Sequence, residues 1–338
     1  MPIARAPRVQ RPLRLAVGTA LCLAIGFGLA LPIPMLAPVL GAFLLATVNR
    51  PLSFQAGVAL TLVVTLTTGC GLLLVPVLRY YPFSGVLLVG LGLFLTFRHG
   101  LRGGNNLVAT FLAMGLTMIP AAGVFDFGLA VQVVSALAKG MLAAVMVFTL
   151  CHWLFPEVDN APAPAAAALP GAQATWIALR AALVVLPAFL LALTDPAGYI
   201  PVIMKAVSLG RQSCTATARD AGRELLGSTL LGGLLAVLFW CTLSLFVHLW
   251  MFFLWMLLFA LLVARKLYRL SPTRLPPGFW LNTLVTLIIL LGQSVQDSAA
   301  GKDVYTAFAV RMALFIGITL YAWMMVFWLE RRHGARPG

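Results

Sequence analysis

Three cations stand inside apolar runs: Lys139 in SALAKGMLAA, Lys205 in PVIMKAVSLG and Arg311 in AFAVRMALF. An ionised side chain at mid-bilayer costs about 2.5–3.5 kcal/mol on the insertion scale, so each needs a partner, water or an anionic ligand. No carboxylate stands equally deep. Asp126, Asp195, Asp297 and Asp303 fall near the outer ends of apolar runs, and Glu157 and Glu330 near the inner ends. Cations placed this way attract anions. Arginine grips a carboxylate with two parallel hydrogen bonds, whereas lysine acts as a point charge. Lys139 and Arg311 are therefore the first candidate substrate-binding residues. Lys205 is the third, because its run is short and a long side chain there can snorkel to the surface.

A second polar constellation, ARDAGREL, holds Arg219, Asp220, Arg223 and Glu224. Its acids can pair locally with its arginines, and it reads as a cytoplasmic gate or a structural element. Other chemistries find no residues. His152 and His248 lie at the ends of apolar runs without ligand neighbours, so no metal site is expected. There is no P-loop, so this chain does not hydrolyse ATP, and no cofactor motif is present. No HExxH, GxSxG or paired-aspartate motif appears, so an enzyme is not expected. The five cysteines are scattered without a CxxC pair and read as small apolar residues between helices.

The elements that hold these residues are membrane spans. Of the 338 residues 62% are hydrophobic and only 9% are charged. Soluble domains carry about 25% charged residues. Lipid is then the solvent, and a span needs about 20 apolar residues. An all-α integral membrane protein of about twelve spans follows. They are expected near 13–31, 35–49, 54–77, 83–98, 106–122, 128–154, 176–194, 199–211, 224–247, 249–264, 279–296 and 304–329. The first run resembles a signal peptide but lacks a small-residue cleavage site, and reads as a retained span. A net charge of +14 would otherwise suggest nucleic acid. Here the charges sit in loops between spans, which excludes a nucleic-acid partner.

Most of the 23 lysines and arginines fall in every second loop, which places both termini on the cytoplasmic side. Trp153, Trp250, Trp280 and Trp328 suit the interface belts. The Ala/Pro-rich stretch 157–175 reads as a cytoplasmic linker between a first six-span repeat, 1–156, and a second, 176–338. Each half has an even number of spans, so the repeats are parallel. In one constant register Pro38 aligns with Pro201, Val39 with Val202 and Gly69 with Gly232. Spans 2 and 8 are both short and open on prolines, the pattern that points to a transporter's binding site. Gly227, Gly232 and Gly233 read as helix-packing residues, since small residues let helices approach in lipid. A reporter fused at Ala166 is expected to be active only on the cytoplasmic side. Labelling of that position from the periplasm would overturn this topology.

The stretch ARDAGRELLGSTLLGGLLAVL, after a short proline-opened span, resembles the signature of the fusaric acid resistance and aromatic acid exporter superfamily. Arg219, Arg223, Gly227, Thr229, Gly232 and Gly233 carry the likeness, and RLAVGTALCLAIGFGLALPIPMLAPVLGAFLLA resembles the family's opening helix pair. The arginine pair would fall on Ala56 and Leu60 in the first half, where it is lost. The large cytosolic domains of many members are absent, as in a compact branch. The resemblance implies efflux of aromatic carboxylates or similar small organic anions, with a periplasmic membrane-fusion adaptor as partner. An anion channel or uptake carrier of the same superfamily, or a non-transporting membrane component of an envelope assembly, are the alternatives. A homo-oligomer is compatible with each.

Overall fold

The computed structural model describes residues 7–104, 106–156, 169–214 and 222–334; Arg219, Asp220 and most of the 157–175 linker lie outside them. Every regular element among the described residues is a helix: α1 Pro7–Gly28, α2 Leu36–Thr47, α3 Phe54–Gly69, α4 Leu74–Tyr80, α5 Pro82–Leu101, α6 Asn106–Phe125, α7 Phe127–Leu154, α8 Gly171–Ala192, α9 Pro196–Ser213, α10 Gly227–Leu243, α11 Leu249–Leu267, α12 Pro277–Ala299 and α13 Val304–Gly334. A 3-10 turn at Cys70–Leu73 joins α3 to α4 as one stretch, and a π turn at Gly222–Leu226 leads into α10. Counted this way, twelve helical stretches coincide with the twelve expected spans. Ten of them are long and apolar enough to cross a membrane. The chain is a multi-helix membrane protein.

Local chemistry sets the helix starts. Asp126 accepts from the main-chain nitrogens of Gly128 and Leu129 at 3.0 and 3.3 Å at the head of α7. Asp195 accepts from that of Gly198 at 3.2 Å at the head of α9. Both satisfy donors that a helix start leaves open. Prolines occupy the first turns of α5, α9 and α12, where no main-chain donor is needed. Within the helices, hydroxyls donate back to the preceding turn, as Thr117 does to the Ala113 carbonyl at 2.8 Å and Thr286 to that of Asn282 at 2.7 Å. Such bonds let polar side chains sit inside an apolar assembly.

The chain divides into two compact units. Unit 1 comprises Met1–Leu62, Ala136–Pro164 and Leu231–Val304, and unit 2 comprises Val63–Ser135, Ala165–Leu230 and Tyr305–Gly338. In unit 1, α1 packs on α2 and α11, α2 packs on α12, and α11 packs on α12. Aromatic edges hold part of this together: Phe27 meets Phe252 with ring centroids 5.1 Å apart, and Phe239 meets Phe252 and Phe259 at 5.7 and 5.2 Å. In unit 2, α8 packs on α9 and α5, α9 packs on α6, and α5 packs on α6. The two circuits have the same form. In each, the first two helices of one sequence half pack on the fourth and fifth spans of the other half.

Backbones come close where small residues allow it. In unit 2 a Cβ on Gly71 would run into the Gly115 carbonyl, and one on Gly115 would stand 2.5 Å from Thr68 Cα. In unit 1 Gly232 plays the same part against α12. Deletion of the side chain at such crossings is what permits van der Waals contact between helices in lipid.

Candidate functional site

Two helices stand apart from the ten long spans. Helix α2 has 12 residues and is apolar throughout. Helix α9 has 18 residues and carries Lys205 and Arg211. At a rise of 1.5 Å per residue α2 is about 18 Å long, well short of a hydrocarbon core of about 30 Å. Both are almost wholly buried along their central turns. These are the short spans that the sequence marked as unusual.

One side of the buried helix α9 is polar. Lys205, Ser208 and Gln212 lie three and four residues apart, which stacks them on one side of the helix. They are 0%, 6% and 8% exposed. At the far end of α9, Arg180 of α8, 3% exposed, donates through Nη2 to the Ser213 carbonyl. A cation there suits the negative end of a helix. Gln212 Nε2 donates to the Glu224 carbonyl at 3.4 Å. Gly210 brings α9 tight against its neighbours: a Cβ there would stand 2.9 Å from Val185 Cγ2 and 3.2 Å from Phe97 Cζ. Cys214 caps the helix beyond its last turn, with Sγ 3.3 Å from the Gly210 carbonyl. Arg180 reaches this end of α9 through Ser213, and Arg211 lies in its last turn. Helices α8 and α9 together carry Arg180, Lys205 and Arg211; Asp195 caps the start of α9, and Glu224 adjoins Gln212 near its end.

The remaining sequence candidates are placed as follows. Lys139 is exposed on α7 in unit 1, and Arg311 is half-buried on α13 in unit 2. Arg223 is exposed in the π turn, while its partners in the motif, Arg219 and Asp220, lie outside the described residues. Gly227 is half-buried and Gly232 and Gly233 are buried in α10. A Cβ on Gly232 would stand 2.6 Å from Thr286 Cβ and 2.8 Å from the Thr283 carbonyl oxygen. Among the described residues no group of three or more His, Cys, Asp or Glu side chains is arranged to hold a metal.

Two features escaped the sequence reading. Arg180 falls near the start of the span expected at 176–194, yet it is the tenth residue of α8 and is buried there. Helix α12 also carries a buried polar face of Asn282, Thr286, Gln293 and Asp297 in unit 1. Gln293 Nε2 donates to Gln296 Oε1 at 3.1 Å and lies 3.3 Å from Met35 Sδ. Spacings of four, seven and four residues within an apolar run were the available signal, since such intervals put side chains on one helix face.

Multiple apolar spans and a buried cationic helix define the class: a polytopic membrane protein with ionisable groups in its interior. Within that class, residues 11–151 match a family described as a protein of unknown function (DUF2955). The matched stretch is the first sequence half, from α1 into the last turn of α7. No curated protein and no solved structure matches the chain.

Proposed function

We propose that the chain is an inner-membrane secondary transporter that exports small organic anions, aromatic carboxylates among them. The observation that carries the reading is Lys205, fully buried in the middle of the short helix α9. Charged groups inside membrane helices mark substrate or ion pathways far more often than they serve packing. The sign of the charge selects an anion. Lys139 and Arg311 remain further pathway groups, with the Arg219, Asp220 and Arg223 segment as a gate on the cytoplasmic side.

The matched packing circuits support two related halves, 1–156 and 176–338, joined through the 157–175 linker as parallel repeats. Each half then lends its first two helices to one unit and its fourth and fifth spans to the other. A periplasmic adaptor partner and cytoplasmic termini complete the proposal. They rest on the resemblance to aromatic acid exporters and on the basic loops.

The test is transport by the full chain in proteoliposomes. Benzoate loaded inside is expected to leave saturably and to respond to an imposed ion gradient. Flux that ignores the gradient and does not saturate would assign a channel. No flux of benzoate, chloride or phosphate would assign a non-transporting role.

A further inference from the structure

We propose that the cleft between α3 and α7, with Lys139 at its inner end, binds a lipophilic carboxylate that arrives through the bilayer. The inference rests on the transporter reading and deepens it, because it names the class of anion: one with an apolar body that partitions into lipid.

The cleft lies wholly within unit 1 and encloses about 470 Å³. That volume suits a small organic ligand. Gly57 and Val58 of α3 line one side, and Leu142, Met146, Leu150 and Trp153 of α7 line the other. The two helices approach at Gly57, where a Cβ would stand 2.6 Å from Val145 Cγ1. Around that point Val58, Leu142, Met146, Leu150 and Trp153 are all exposed. The lining hydroxyls bond within their own segments. Thr149 Oγ1 donates to the Val145 carbonyl at 3.0 Å, and Ser53 Oγ accepts from the Ala56 nitrogen at 3.2 Å. The walls therefore select an apolar body.

Lys139 selects its head. It is the thirteenth of the 28 residues of α7. A helix of that length is about 42 Å long and covers the hydrocarbon core with both interfaces, so Lys139 stands near the midplane. Lys139, Leu142, Met146, Leu150 and Trp153 follow one another in steps of three and four residues, which sets them in one stripe along the helix. Lys139 is exposed like the rest of the stripe, one turn inward from the cleft. Among the described residues it has no hydrogen bond or ion pair. An ammonium facing hydrocarbon at this depth is costly, and a carboxylate beside it offsets the cost with a charge-assisted bond. A phospholipid cannot supply that carboxylate. Its headgroup belongs at the interface with Trp153, about 21 Å along α7 from Lys139. A free carboxylate on Lys139, with its tail lying along the cleft toward Trp153, satisfies both ends.

The probe is dodecanoate with a diazirine at the end of its tail. It is irradiated with the full chain in phosphatidylcholine nanodiscs, and the labelled residues are mapped by mass spectrometry. Label is expected on Val58 or between Leu142 and Trp153. Dodecanoate is expected to displace it, and dodecanol, which has the same tail without the charge, is not. Lys139→Met is expected to fold, because the side chain is exposed, and to lower labelling about tenfold, the worth of one charge-assisted bond. Lys139→Arg is expected to retain it, and Val58→Trp, which fills the cleft, to lower it. Parental labelling in Lys139→Met, or equal displacement by dodecanol, would assign the cleft to ordinary acyl chains and overturn the site. A disulfide between two copies carrying Met146→Cys would assign this face to a second copy and overturn it too. Lys139-dependent labelling in a protein that moves no anion would overturn the transporter reading and leave the site standing. Saturable benzoate efflux beside labelling that ignores Lys139 would do the reverse.

Discussion

Lys205→Met should cut benzoate flux at least about tenfold while the protein still elutes as a single folded species. Methionine matches lysine closely in length and fills the same space, so packing on α6 and α8 is preserved. What disappears is the ammonium, which in a water-poor interior is worth far more to an anion than in water. The loss of one charge-assisted interaction is about 1.5–3 kcal/mol, or roughly ten- to a hundredfold in the rate constant that depends on it. Lys205→Arg keeps the sign and should retain much of the flux. Lys205→Glu reverses the sign and should abolish it. The measurement is efflux of labelled benzoate from proteoliposomes, beside gel filtration of each variant. Parental efflux by the folded methionine variant would remove Lys205 from the pathway.

Gly232→Leu is expected to be the most damaging substitution for the fold. Its Cβ alone would sit 2.6 Å from Thr286 Cβ and 2.8 Å from the Thr283 oxygen, and the oxygen belongs to the backbone of α12 and cannot swing away. The helices must separate, which forfeits the close packing that holds them in lipid. Overpacking of a tight contact costs about 1–3 kcal/mol, with more where backbone must move. The expected outcome is a large fall in the yield of monodisperse protein and in its thermal midpoint. Gly278→Ala is the control, because nothing lies within 4 Å of a Cβ there. If Gly232→Leu melts with the parental protein, the α10–α12 contact contributes nothing.

Depth was legible in the sequence; lateral order was not. Hydropathy located all twelve helical stretches, because ten are long apolar runs that match the membrane's thickness and the other two are shorter runs set off by prolines and polar segments. It also singled out α2 and α9, whose shortness and prolines are plain in the residues. Gly232 was legible because a glycine in an apolar span has few reasons to be there other than close approach. The rotation of Lys139 on α7 was not, since α7 carries apolar residues all around. Neither was the alliance of α1 and α2 with α11 and α12. Apolar helices have similar faces, and only three-dimensional packing selects among them. The burial of Arg180 was hidden for a related reason: a cation one turn or three turns inside a helix looks alike when the helix start is uncertain by a few residues.

The exchange of helices between sequence halves has a consequence for synthesis. Helix α2 leaves the ribosome about 200 residues before its packing partners in α11 and α12 are made, which at 5–20 residues per second is roughly 10–40 s. Through that interval α1 and α2 have at most the α7 portion of their unit beside them, and α11 and α12 are still to come. Nascent chains that stall before residue 249 hold no complete unit 1, and those that stall before residue 196 hold no complete unit 2. Quality control acting on such chains would meet Met35 at the head of α2 uncovered, because Gly292 and Gln293 of α12, which pack against it, are made only later.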